Sequence, residues 1–166
     1  MPSRVVLAFA VTVIAAISAA GLLWSPAGGG TAGRSTAAAA MTEYRQEARS
    51  LEARGLVLAP GWRWPVAGVF ADSDPDGAPM AWGPGSGAQR ADLYWFYSWA
   101  NRAVTHDLPP EARQAALAQL ARVRETTYYQ RLIPDTRRQL DAEVATALRG
   151  DLARLRADVR ANRPAP

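Results

Sequence analysis

A single histidine beside an aspartate, His106-Asp107, is the pairing in this chain that most resembles an oriented general base. It has nothing to activate. The 166 residues contain no cysteine and no second histidine, and no serine or threonine stands in a recognisable nucleophile motif. Pro109 and Pro110 follow after Leu108, so the pair reads as part of a loop between helices. Zinc-type sites, which draw on several Cys and His ligands, are excluded, and no resident metal or cofactor is expected.

Asp72, Asp74 and Asp76 followed by Gly77 give the D-x-D-x-D-G opening of a calcium loop, in which alternate carboxylates converge on a hard cation. The match stops there. Gly83 stands where a bidentate Glu belongs, Pro75 stiffens the segment and no helix leads in, which favours a solvated turn. Gly83-Pro-Gly-Ser-Gly87 lacks the Lys-Ser/Thr of a phosphate loop and reads as a hinge ahead of a helix.

Trp62-Arg63-Trp64, with Trp82 further on, supplies aromatic faces that can stack on a sugar ring or hold a cation. The competing reading is that these rings pin a Pro-rich loop to the core, because extended backbone puts Trp62 and Trp64 on one side. Arg149, Arg156, Arg160 and Arg163 share a face near the C-terminus, with Asp158 adjacent. They read as a solvated basic strip or a contact for anionic lipid or a partner.

The elements that carry these residues are helical. From Ala37 to Arg54, apolar positions 37, 41, 44, 48 and 51 form one stripe, and Gly55 supplies a stop. Residues 56–87 hold five prolines and predict an irregular loop. Ala88 to Val104 is apolar nearly all round, with Ser86 or Gly87 as its cap, so it should be the central helix. Glu111 to Leu132 predicts another helix. From Asp135 to Arg160 a stripe of Leu140, Val144, Leu148, Leu152, Leu155 and Val159 predicts one long helix, or two collinear pieces bent at Gly150 with Asp151 as cap.

Ahead of all this lies Val5 to Trp24, twenty residues without a charge. At 1.5 Å per residue, such a helix spans about 30 Å, the thickness of the hydrocarbon core. Arg4 precedes the run and the next charge is Arg34, so the N-terminus is expected in the cytoplasm and the rest of the chain outside. The rival is a signal peptide cleaved after the small residues Ser18-Ala19-Ala20, which secretes the same domain. Residues 25–36 are rich in Gly, Ser, Ala and Thr and read as a flexible linker.

All nineteen basic side chains are arginine and the net charge is +4. Outside a membrane, the polyanions within reach are lipid headgroups, wall polymers and acidic protein faces, and nucleic acid is not expected as a partner. Without cysteine, an exported domain must hold by packing alone.

The order of features resembles a group of small uncharacterised exported proteins of actinobacteria: an apolar N-terminal run, a Pro/Trp loop, Gly83-Pro-Gly-Ser-Gly87 leading into Leu93-Tyr-Trp-Phe-Tyr-Ser-Trp99, and a late Gly150-Asp151. In that group a cysteine commonly stands at the position of Tyr97 and another near that of Arg163, which the resemblance reads as a pair absent here. It implies an architecture and no activity.

The expected fold is therefore mainly α: a transmembrane anchor at 1–24, a linker at 25–36 and an extracytoplasmic helical domain at 37–166 with an irregular Pro/Trp-rich loop. The expected role is a single-pass anchored accessory or interaction protein, with residues 5–24 in lipid and a membrane-protein or cell-envelope partner. The alternative is an envelope ligand-binding module that uses the loop tryptophans. An enzyme would announce itself by a carboxylate pair of shifted pKa in a cleft.

Overall fold

The structure, a computed structural model, describes residues 36–73 and 76–162. The apolar run 5–24 and the linker up to residue 35 lie outside the described residues, as do Asp74 and Arg163. Among the described residues there are six α-helices and no strand, only an isolated antiparallel bridge between Ser73 and Pro79, and no helix is long and apolar enough to cross a membrane.

The first helix, α1 (Ala37–Ala53), begins where the Thr36 hydroxyl accepts the Ala39 amide at 3.2 Å. It buries Ala37, Ala40, Tyr44, Ala48 and Leu51, with Met41 half-buried at the edge of the stripe. Gly55, at φ +72°, ends it by paired hydrogen bonds: its own amide to Glu52 O at 2.9 Å, and the Leu56 amide to Leu51 O at 2.8 Å. Leu51 and Leu56 are both fully buried, which locks the turn with an apolar contact.

The central helix, α2 (Ser86–Val104), buries Ala91, Trp95, Phe96, Tyr97, Trp99, Ala100 and Ala103, as its all-round apolar pattern predicts. Its start differs from the expected cap. Gly85, left-handed at φ +80°, precedes the first turn and no side chain caps it. Gly87 belongs to the helix, where it lets α1 come close: a Cβ there would run into the Ala40 carbonyl oxygen and lie 2.7 Å from the Tyr44 amide nitrogen. Gly87, at the end of the Gly83–Gly87 segment, is therefore a close-packing point.

Ala40 meets Gly87, and Glu47 further along α1 faces Asp92 further along α2, so the two helices run side by side in the same direction. Parallel neighbours require a connection that travels back along their full length. Residues 56–85 supply it, meeting α2 in reverse order: Ala59 at Ser98 (3.1 Å), Arg63 at Tyr94 (3.0 Å), then Phe70 and Trp82 at Arg90. At the far end the indoles of Trp95 and Trp99 both donate to Val57 O, at 3.0 and 2.8 Å.

After α2, Thr105–Pro109 turns the chain, and His106 sits there with its ring almost wholly exposed. The Arg113 guanidinium closes this turn by donating to the carbonyls of Ala103, Thr105 and His106. The next helix is not continuous to Leu132. It comprises α3 (Pro110–Ala121), a 3-10 turn at Arg122–Glu125 and a short α4 (Thr127–Arg131). Thr126 makes the break: its hydroxyl donates to Val123 O at 2.7 Å and accepts the Tyr129 amide at 3.2 Å, so the side chain replaces the helical bonds.

The last stretch is broken at Gly150, as the second of its two expected forms has it, and is not one long helix. Two helices form, α5 (Pro134–Leu148) and α6 (Ala153–Asn162). Gly150, at φ +98°, ends α5 with the same paired bonds seen at Gly55, its amide to Ala147 O at 2.9 Å and the Asp151 amide to Thr146 O at 3.3 Å. Asp151 does cap the next helix, accepting the Ala153 amide at 3.0 Å. The interruption turns Leu148 out to 37% exposure and puts Ala147 in the core, while Leu140, Val144, Leu152, Leu155 and Val159 stay buried.

Candidate functional site

Two groups of side chains stand out as sites. The first is the aromatic seam between the return loop and the helices. Alternation along the extended Trp62-Arg63-Trp64 directs both indoles to Tyr94 of α2, at centroid distances of 5.3 and 5.7 Å. Trp64 also meets Tyr44 at 5.9 Å, Tyr44 meets Phe70 at 6.3 Å, and Phe70 meets Trp82 at 4.9 Å, these three edge to face. Arg90 lies over both Phe70 and Trp82.

Hydrogen bonds fix the seam. Trp64 Nε1 donates to Glu52 Oε1 at 2.7 Å, Trp82 Nε1 to Ala71 O at 3.1 Å, and Arg45 Nη2 to Val66 O at 3.0 Å. Trp62, Trp64 and Trp82 are half-buried, whereas the Arg63 side chain between them is exposed. The structure thus brings the three tryptophans into one network, continuous with the core, and leaves Arg63 outside it.

The second group is a set of buried carboxyls around α2 that no motif announced. Asp92 is 1% exposed. Its Oδ2 accepts the Tyr128 amide at 2.6 Å, which caps α4 from another element, while Oδ1 has no partner among the described residues. Burial pushes its pKa up to about 7, reinforced by the nearby Glu47 carboxylate and opposed by the Tyr128 amide and by Arg54. Glu47 itself is paired with Arg54 at 2.7 Å.

On the opposite flank Glu143 of α5 and Asp158 of α6 approach Tyr97. Burial, then the Asp158 charge, raise the Glu143 pKa to about 7, against Arg154. Burial likewise raises Asp158, against hydrogen bonding by Asn162 and Tyr97, and raises the Tyr97 phenol well above its usual range. The neighbouring cavity, lined by Leu93, Phe96, Tyr97, Tyr128 and Leu140, has a volume of about 10 Å³, room for a single water and not for a substrate.

Asp158 therefore does not dilute the arginine strip from an outer face; it turns inward. Arg149, Arg156 and Arg160 are exposed, and Arg149 donates to Thr146 Oγ1 at 3.0 Å. Asp72 and Asp76 are exposed on the loop, with Met80 donating its amide to Asp72 O at 2.9 Å. Among the described residues no three Asp, Glu, His or Cys side chains gather as a metal set.

The signal for Asp92 was present in the sequence, a lone carboxylate between Ala91 and Leu93 in a helix apolar all round. Glu143 and Asp158 carried no comparable signal, since each lies on a helix with an ordinary polar face. Comparison of the chain with family models, with curated proteins and with solved structures gives no match.

Proposed function

We propose that the chain is a single-pass membrane-anchored protein whose helical domain works outside the cytoplasmic membrane as an accessory or interaction module. The observation that carries this reading is the charge-free run Val5 to Trp24, preceded by Arg4 and followed by a spacer that reaches to the first turn of α1. The partner is another membrane protein or a component of the envelope.

The test uses the full chain with a C-terminal tag in bacterial cells. The reading predicts that the chain stays in the pellet after alkaline carbonate extraction and that protease added to intact cells removes the tag. A chain recovered in the cytosol, or a tag protected while the membrane is intact, overturns it.

A second reading, an envelope ligand binder, draws on the half-buried indoles of Trp62, Trp64 and Trp82 beside the exposed Arg63 and the cation-π contacts of Arg90. Titration of the full chain with wall-derived oligosaccharides, followed by tryptophan fluorescence, separates it from the first: a saturable change supports binding, and a flat signal at millimolar sugar rejects it.

A further inference from the structure

Ala153, Arg156, Ala157 and Arg160 make up one face of α6, spaced at three and four residues and all exposed, while Leu152, Leu155 and Val159 are buried beneath the helix. Among the described residues neither of its two guanidinium groups has an ion pair. Arginines on neighbouring elements are matched: Arg124 holds Asp141 of α5 at 2.9 Å, and Arg138 pairs with Asp135 within α5. This face has no such partner. The one acid of α6, Asp158, turns inward, where Asn162 Nδ2 donates to its Oδ1 at 2.8 Å, and Asp151 ahead of the helix accepts the Ala153 amide at 3.0 Å. The alanines are short, so the two long cations reach furthest from the helix and can meet one flat anionic surface together. A phosphate oxygen pair matches the guanidinium fork.

We propose that this face of α6 docks on the anionic phospholipid headgroups of the membrane that carries the chain, so that the domain lies against the bilayer. The proposal rests on the anchored reading, because a tether is what makes two charges enough. Each arginine at an anionic surface favours contact about fivefold, so the pair gives about twenty-five-fold, too little to recruit a free protein and ample for a domain already held at the surface. Reach is not an obstacle. Asp158 bonds Tyr97, ten residues along α2 from Gly87, and Gly87 packs on Ala40 in the first turn of α1, which places α6 about 15 Å along the domain from that turn. Residues 25–36 can span at most about 40 Å, so the domain can tip until α6 meets the surface. The face has no aromatic or branched apolar side chain to fill a pocket, as the anchor of a protein interface would, whereas a headgroup layer needs no shape match. Arg163, beyond the described residues, adds a further positive charge to the sequence.

Because the chain has no cysteine, a single fluorophore can be placed at A157C, on this face, or at H106C, on the exposed turn after α2. The labelled full chain is reconstituted into vesicles of phosphatidylcholine, alone or mixed with phosphatidylglycerol, each with a trace of headgroup-nitroxide lipid as quencher. At low salt, quenching at 157 is expected to be about fivefold stronger or more in the mixed vesicles, and quenching at 106 the same in both. The difference disappears at about 1 M salt. Arg156→Gln and Arg160→Gln each weaken the contact about fivefold; should either fail to fold by circular dichroism, the salt arm reads the same contact on the unaltered face. Equal quenching at 157 in the two lipids overturns the proposal, as does quenching that survives high salt. So does energy transfer between labels at 157, which assigns the face to a second copy of the chain. Flotation of the same vesicles keeps the two readings apart. A chain that floats with both lipids while position 157 stays unquenched loses the contact alone. One that floats only with the mixed vesicles and is released by salt keeps the contact and loses the anchor, and one that floats with neither loses both.

Discussion

Gly87 of α2 rests against the backbone of Ala40 in α1, so close that a methyl group at position 87 would overlap the Ala40 carbonyl oxygen. The two helices are set side by side by the absence of one side chain. Gly87→Ala removes that possibility, and because Glu43 Cβ and the Tyr44 amide nitrogen crowd the same point at 2.6 and 2.7 Å, the helices must separate. The expected loss is about 3 kcal/mol, the upper end for overpacking, read from the urea midpoint. A change below about 0.5 kcal/mol, the scale of an ordinary surface substitution, would show that the contact is not tight.

Gly55 obeys a different rule. At φ +72° with nothing near its Cβ position, its requirement is torsional and not steric. Gly55→Ala is expected to lose about 1 to 2 kcal/mol, and Gly55→Asn less, because Asn visits the left-handed region more readily than Ala. At position 87 Asn must be worse than Ala. Equal effects of Ala and Asn at 55 would contradict the torsional account.

Stability should fall as pH rises from about 5 to about 8. Asp92 and Glu143 are both held near 7 in the folded chain, above their ordinary values of 3.8 and 4.5. In that window the unfolded chain has already released these protons and the folded chain still binds them, so each pH unit gained favours unfolding until both states are ionised. The opposing group, Glu125, is lowered by its hydrogen bonds to Arg122 and is ionised in both states across the same window. Urea midpoints at the two pH values measure the difference, and Asp92→Asn should shrink it. A midpoint that climbs with pH would refute the assignment.

Trp95 and Trp99 should be energetically coupled through their shared acceptor. Either indole alone satisfies Val57 O, so Trp95→Phe or Trp99→Phe leaves that carbonyl with one donor. The double variant leaves it with neither. A double-mutant cycle is expected to give a coupling of about 1 kcal/mol, with the double loss exceeding the sum of the single losses. Strict additivity would mean that water replaces the lost bonds without penalty.

What the sequence made legible was whatever is written locally. The apolar stripe of α1, its stop at Gly55 and the all-round apolar character of α2 are properties of consecutive residues, and the structure reproduces them. The break at Thr126 was hidden because the four-residue spacing of apolar positions continues across it, whereas at Gly150 the same continuity left a single helix and a break capped by Asp151 both open. At Thr126 the winning interactions are a hydroxyl replacing helical bonds and a carboxylate arriving from Asp92. At Gly150 the paired bonds of a helix stop override the continuity from Leu148 to Leu152. The buried carboxyls were illegible for a related reason: burial of Glu143 and Asp158 depends on where α5 and α6 pack, and neither helix states that in its own residues.

The carboxylate of Asp92 on the Tyr128 amide also sets an order of events. Five residues lie far below the roughly 12 to 15 at which a lone helix persists in water, and α4 begins with a donor satisfied from a point thirty-six positions earlier in the chain. A peptide of residues 122–133 should therefore be a coil in isolation. During folding, this turn must wait until the aromatic helix is seated, which makes it one of the last segments to acquire shape and one of the first to lose it.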